Sequence, residues 1–117
     1  KEAGKKIYFH TDGYLLPIIQ GFKDAGVDII NLQSGCISLP EMKKACHKNI
    51  CVSVDIDRQH YMVYATCEEL KQHVRDIYNV MDAENGGVWV KYDVYPDVDL
   101  DHIRALAEVL QELTAKD

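Results

Sequence analysis

The sequence predicts an α/β fold: four consecutive strand–helix units building one parallel sheet. Three observations point there. Short, nearly continuous apolar runs alternate with longer segments of helical periodicity, the connections between them are short, and the polar residues able to do chemistry fall after strands and seldom after helices. The last feature is the geometry in which open α/β sheets and (βα) barrels place their sites. Four units are half of an eight-stranded barrel. The chain also begins with Lys-Glu-Ala-Gly-Lys-Lys, without an initiator methionine, directly before a strand. We therefore expect residues 1–117 to be a single domain, the C-terminal half of a TIM (βα)8 barrel and a fragment of a longer enzyme, although an open sheet would give the same pattern.

The first unit opens on Ile7 to Gly13, which reads as a short buried strand delivering His10 and Asp12 into a loop, with Gly13 permitting the turn. Tyr14 to Ala25 then places Leu15, Leu16, Ile18, Ile19 and Phe22 on one helical face, with Pro17 in the first turn and Gly26 as the stop. Val27 to Leu32 has the apolar continuity of a strand covered on both faces and leads into Asn31, Gln33 and Ser34. After a loop at Gly35 to Ser38 comes a short basic helix, Leu39 to Lys48.

The third strand, Ile50 to Ile56, carries Asp55 and Asp57 at its end and precedes a loop with Arg58, Gln59, His60 and Tyr61. Thr66 with Glu69 forms a capping box for a helix from Cys67 to about Ala83, ended by Asn85-Gly86-Gly87. A fourth strand from Val88 to about Val94 ends near Lys91, Tyr92 and Asp93. Beyond Pro96 and the acidic stretch Asp97 to Asp101, a last amphipathic helix turns Ile103, Leu106, Ala107 and Leu110 inward.

Bulk composition narrows the function classes. A formal charge of -6 with interspersed signs argues against a nucleic-acid surface or an anionic-membrane surface, either of which needs a clustered basic patch. There is no apolar run long enough to span a bilayer and no signal peptide. The four cysteines, 36, 46, 51 and 67, form neither a CxxC nor a disulfide ladder, so they read as reduced thiols of a cytoplasmic protein. Cys46, His47 and Cys51 match no common zinc spacing. His47, His73 and His102 lie on or beside helices and receive no chemistry. Tyr61, Met62 and Tyr64 read as an aromatic wall or as core.

His10-Thr-Asp-Gly, then Gly26-Val-Asp-Ile-Ile-Asn-Leu-Gln33, Asp55-Ile-Asp-Arg-Gln59, Ala65-Thr-Cys-Glu-Glu-Leu70 and Pro96 follow one another in an order and spacing that resembles the latter half of the uroporphyrinogen decarboxylase superfamily. The likeness covers nearly the whole chain. That superfamily includes the porphyrin-pathway decarboxylase and corrinoid-dependent methyltransferases, all on a (βα)8 barrel. The resemblance implies substrate contacts at Gln33, Arg58 and Lys91, catalytic positions at Asp57 and Tyr92, and a zinc site at His10 and Asp12 that Asp93 or a residue of the absent half would complete. Asp57 can equally be a loop cap satisfying backbone donors before Arg58, and Asp55 stands where a glycine is usual.

The departures from the pattern carry information. Gln33 and Tyr92 replace the decarboxylase's aspartate and histidine, and neither does proton transfer well at neutral pH. In the zinc methyltransferases the histidine is followed two residues later by a cysteine, here Asp12, with a second cysteine where Tyr92 now stands. Oxygen ligands would leave a harder, more Lewis-acidic ion, and Cys36 is a spare ligand.

The leading expectation is a methyltransferase-like member of the superfamily acting on a small-molecule substrate with a corrinoid carried by a partner protein. The first alternative is the cofactor-free decarboxylase of porphyrin biosynthesis. The second is a non-catalytic barrel that binds a tetrapyrrole or a corrinoid protein. The open sheet edges also predict self-association, pairing with an N-terminal half, or a flatter sheet.

Overall fold

Apolar runs of four or five residues are too short to bury themselves as helices, and here they form the strands of one sheet. The structure, a computed structural model, describes residues 2–115. In chain order the elements are β1 (Tyr8–His10), α1 (Ile19–Asp24), β2 (Ile29–Gln33), α2 (Leu39–Cys46), β3 (Cys51–Asp55), α3 (Cys67–Val80), β4 (Val88–Lys91) and α4 (Leu100–Thr114). The four strands are parallel and stand in the order β1-β2-β3-β4. The expected α/β class and parallel sheet are therefore present, and no helix of the described residues is long and apolar enough to cross a membrane.

Register divides the sheet into two unlike faces. Residues partnered across a parallel ladder point the same way, so Phe9, Ile30, Val52 and Val88 share one face, joined one step on by Leu32, Val54 and Val90. All of these but Phe9 enter or pack against the core with Met42 of α2, Leu70, Val74 and Ile77 of α3, and Leu106 and Val109 of α4. The opposite face carries His10, Asn31, Ser53 and Trp89 in one row and Gln33, Asp55 and Lys91 in the next.

Helix starts follow the local chemistry. Thr66 caps α3 by accepting from the Glu69 N–H at 3.2 Å while the Glu69 carboxylate accepts from the Thr66 N–H at 2.7 Å. The Glu41 carboxylate accepts from the Ser38 N–H and hydroxyl ahead of α2. Asp99 caps α4 through the Asp101 N–H at 2.9 Å. Ion pairs then fasten α4 to α3: Lys71 meets Glu108 at 2.6 Å, and Arg75 grips the Glu112 carboxylate through Nε and Nη2 at 3.2 and 3.1 Å. The last pair has the forked geometry that makes arginine the stronger partner.

Several sequence expectations need correction. β1 is exposed along its whole length, because it has a neighbour on one side only and on its helix side Phe9 meets just Phe22 of the short α1, ring centres 4.9 Å apart. The predicted first helix is a 3-10 turn at Leu16–Ile18 followed by the short α1, and Ile18 is turned outward, 52% exposed. β4 stops at Lys91 and α3 at Val80. On α4 the apolar stripe runs through Ala105, Leu106 and Val109, leaving Ala107 exposed.

Two of the helices end on non-glycine residues in the left-handed region, Lys48 after α2 with φ 60° and Asp82 after α3 with φ 58°. Asp82 recovers part of that cost by accepting from Asn85 Nδ2 at 2.7 Å. For Lys48, an exposed side chain, the strain stands alone. Lys48→Gly is expected to raise the unfolding free energy by up to about 1 kcal/mol in chemical denaturation, and a loss of stability would show that the lysine side chain contributes more than its backbone costs.

Candidate active site

Everything polar on the open face converges on one buried amide. Asn31, fully buried at the centre of β2, donates from Nδ2 to the Ser53 carbonyl at 2.9 Å and to Asp55 Oδ1 at 2.7 Å, and accepts at Oδ1 from His10 Nδ1 at 2.5 Å. The carboxylate fixes which end of the amide is nitrogen, so the histidine must bring its proton on Nδ1. His10 Nε2 is thereby left as the free ring nitrogen, and it faces Asp12 Oδ1 at 3.5 Å. Asp12 is held from behind: Gln33 Nε2 donates to it at 2.9 Å, while Gln33 Oε1 accepts from the Gly13 N–H at 3.3 Å. Gly13, at φ 91°, lets the loop turn back toward that amide.

A second group forms on the β4 side. Lys91 Nζ lies 3.6 Å from Asp55 Oδ1 and 3.1 Å from Asp93 Oδ2, and Arg58 Nη1 lies 3.6 Å from the same Asp93. Burial works against the charge on Lys91, but the hydrogen bond to Asp93 and the charges of Asp55 and Asp93 outweigh it, and its pKa is raised above the ordinary 10.5. Arg58 also donates to the Tyr95 hydroxyl at 3.1 Å and lies 5.8 Å from the centre of that ring. From Asp12 to Tyr95 these contacts form an almost continuous polar chain across the carboxyl ends of all four strands.

Between the two groups, Gln33, Ser34, Cys36, Asp55, Asp57 and Arg58 line a cleft of about 100 Å³. Asp57 faces it, but its Oδ1 accepts from the backbone N–H groups of Gln59 and His60 at 2.9 and 3.1 Å, so the carboxylate also shapes the loop. Gly35 passes within ordinary contact of that carboxylate: a Cβ there would sit 3.5 Å from it. On the same open face, Tyr8 and Trp89 reach toward one another from the two outer strands and stack with ring centres 6.2 Å apart. The Tyr8 hydroxyl meets Ser53 Oγ at 3.4 Å.

The structure thus brings His10, Asp12 and Gln33 together, and separately Lys91, Asp93 and Arg58. Tyr92 is 40% exposed beside the second group. It does not bring Asp93 to His10 and Asp12, and among the described residues no three His, Cys, Asp or Glu side chains form a metal-binding group. His10 and Asp12 supply two of the four ligands that zinc prefers. Cys46 lies in the apolar core, where burial pushes its thiol up to about 11.

Sequence reasoning passed over His73. Its ring lies flat on Tyr61, 4.0 Å between centres, and its Nε2 is 3.4 Å from Ser34 Oγ at the edge of the cleft. Ser34 spends its hydroxyl proton on the Asp55 carbonyl at 2.7 Å, so His73 is the donor. The available signal was its place on α3: His73 precedes the buried Val74 and lies three residues after the buried Leu70. Neither a family model nor a curated protein sequence matches this chain.

Burial holds the His73 imidazole below the usual 6.5, against the opposing pull of the Asp57 and Asp76 carboxylates. As pH falls the unfolded chain takes up the proton first, so the stability tied to neutral His73 is complete above pH 6.5 and is lost as pH drops through the lower folded value. The melting temperature of the wild type should therefore fall more steeply than that of His73→Gln between about pH 7 and about pH 5. Parallel curves would contradict the assignment.

Proposed function

We propose that this chain forms the C-terminal half of a (βα)8 barrel of the uroporphyrinogen decarboxylase superfamily, in a methyltransferase-like enzyme that moves a methyl group between a small protic substrate and a corrinoid carried by a partner protein. One observation carries the reading. The sheet is apolar on the face its helices cover and polar on the other, and its polar residues are locked together at the carboxyl ends of the strands, as the mouth of such a barrel requires.

Charge favours methyl transfer over decarboxylation of a porphyrinogen. Among the described residues the mouth holds four carboxylates, Asp12, Asp55, Asp57 and Asp93, against the two cations Arg58 and Lys91. Both cations already face carboxylates. A macrocycle bearing many carboxylates would meet net repulsion there, whereas a thiol or alcohol would not.

In this reading His10 Nε2 accepts the substrate proton. Asn31 fixes the ring and its tautomer, and Asp12 stabilises the imidazolium that results. Gln33 holds Asp12 in place, Asp57 sets the Arg58 loop, and Arg58, Lys91 and Tyr92 contact the far end of the substrate. A zinc ion on His10 Nε2 and Asp12, with further ligands from outside the described residues, would occupy the lone pair that otherwise takes the proton and would instead lower the pKa of a bound thiol through its Lewis acidity.

The test uses the natural protein carrying this sequence, with methylcobalamin and mercaptoethanol, and follows the methyl thioether by NMR. Thioether should form, and His10→Ala should slow it by about a hundredfold or more. Thioether formation indifferent to His10→Ala would overturn the assignment of the base. No thioether, together with conversion of uroporphyrinogen to a product of fewer carboxylates, would move the protein to the decarboxylase branch.

A further inference from the structure

We propose that His73 is a positioning residue that clamps together the two stretches of chain lining the cleft and so sets how tightly the cleft holds its substrate. The cleft takes its walls from residues 33–36, leaving β2, and residues 55–59, leaving β3. His73 does not line it. From α3 the imidazole reaches each wall through one neighbour. The inference rests on the cleft being the substrate site proposed above.

On the β2 side the neighbour is Ser34. His73 Nε2 donates to Ser34 Oγ at 3.4 Å, and the Asp55 carbonyl accepts from the Ser34 hydroxyl at 2.7 Å and from its N–H at 3.4 Å. On the β3 side the neighbour is Tyr61, whose ring lies 4.0 Å from the imidazole at an interplanar angle of 1°. The Tyr61 N–H donates to the Asp57 carbonyl at 3.1 Å, closing the turn that carries Arg58 and Gln59. His60 packs edge-on against the same ring, centres 5.1 Å apart. Contacts from Ser34 through His73 and Tyr61 to Asp57 thus join one wall of the cleft to the other.

Imidazole suits both tasks, with a flat face for Tyr61 and an in-plane N–H for Ser34. Phenylalanine would keep the face and lose the donor, while glutamine would keep a donor and lose the face. The helix supplies the rigidity. Leu70 and Val74, on either side of His73, are fully buried, and Lys71 and Arg75 are paired with α4. Loops held from such an element keep a site in its productive geometry. The clamp is also internal to the sheet: β2 and β3 each have a strand on both sides, so it does not depend on what stands beyond β1 or β4. His10 is held by Asn31 and by neither loop, and loosening the cleft therefore weakens substrate binding more than it slows the proton step.

Amide hydrogen exchange and methyl-transfer kinetics test it on the natural protein carrying this sequence. His73→Phe should speed exchange of the Ser34, Cys36 and Ile37 amides about threefold or more. His73→Gln should do the same for Tyr61 and Met62, and in both variants the strand and helix amides should keep their rates. With methylcobalamin as donor, each variant should raise the KM for mercaptoethanol about threefold or more while kcat changes by less than about twofold. In a Ser34→Ala background, His73→Phe should add nothing further to KM. Exchange unchanged in both loops, or raised throughout the chain, would overturn the clamp. Raised loop exchange with an unchanged KM, or with the loss confined to kcat, would overturn its bearing on the substrate. If no thioether forms, the methyl-transfer reading fails by itself, and the exchange pattern alone decides for or against the clamp.

Discussion

A buried primary amide at the centre of a sheet is the constraint on which this molecule is arranged. Burying an amide without partners is costly, and Asn31 avoids that cost by spending both hydrogens and its oxygen on groups of the two flanking strands, His10 of β1 and Ser53 and Asp55 of β3. The consequence reaches beyond stability. One side chain sets the tautomer of His10 and holds the Asp55 carboxylate in reach of Lys91, linking two groups that the strand register places on the same face of the sheet.

The other face could not host such an arrangement. Ile30, Leu32, Val52 and Val54 are nearly or fully buried beneath the helices, where any unpaired polar group would be left without solvent. Division of labour between the faces follows directly: the helix-covered side supplies cohesion, and the open side carries the groups whose charges and protons are exchangeable. Tyr8 lies one step toward the amino end from the row of His10, Asn31, Ser53 and Trp89 and stacks on Trp89, and the Arg75 and Lys71 ion pairs pin α4 to α3.

Much of this was legible in the sequence, for physical reasons that can be named. Capping at Thr66 and Glu69 is a local signal and appeared as read. So did the parallel strand order, since alternating apolar runs and amphipathic helices leave few other topologies. His10 and Asp12 were singled out as a pair and Gln33 apart from them, and the hydrogen bond from Gln33 to Asp12 joins the two. What could not be read was context. The exposure of β1 depends on what packs beside it, and the stripe of α4 slipped because Ala107 and Ala105 are equally apolar while only the second faces α3 and the core. His73 was missed because its role depends on a loop, Ser34 and Tyr61, that approaches from elsewhere in the chain. The separation of Asp93 from His10 is likewise a matter of sheet width, with two strands standing between them.

The central claim is that the Asn31 amide ties β1, β2 and β3 into one polar unit, and a double-mutant cycle on Asn31→Leu and Asp55→Leu tests it most directly. Measured by chemical denaturation, the two substitutions should couple by about 1 kcal/mol or more, the double variant losing less than the sum of the singles. Additivity to within about 0.5 kcal/mol would mean that the two side chains are stabilised independently, and the account of the polar face as a single unit would be wrong.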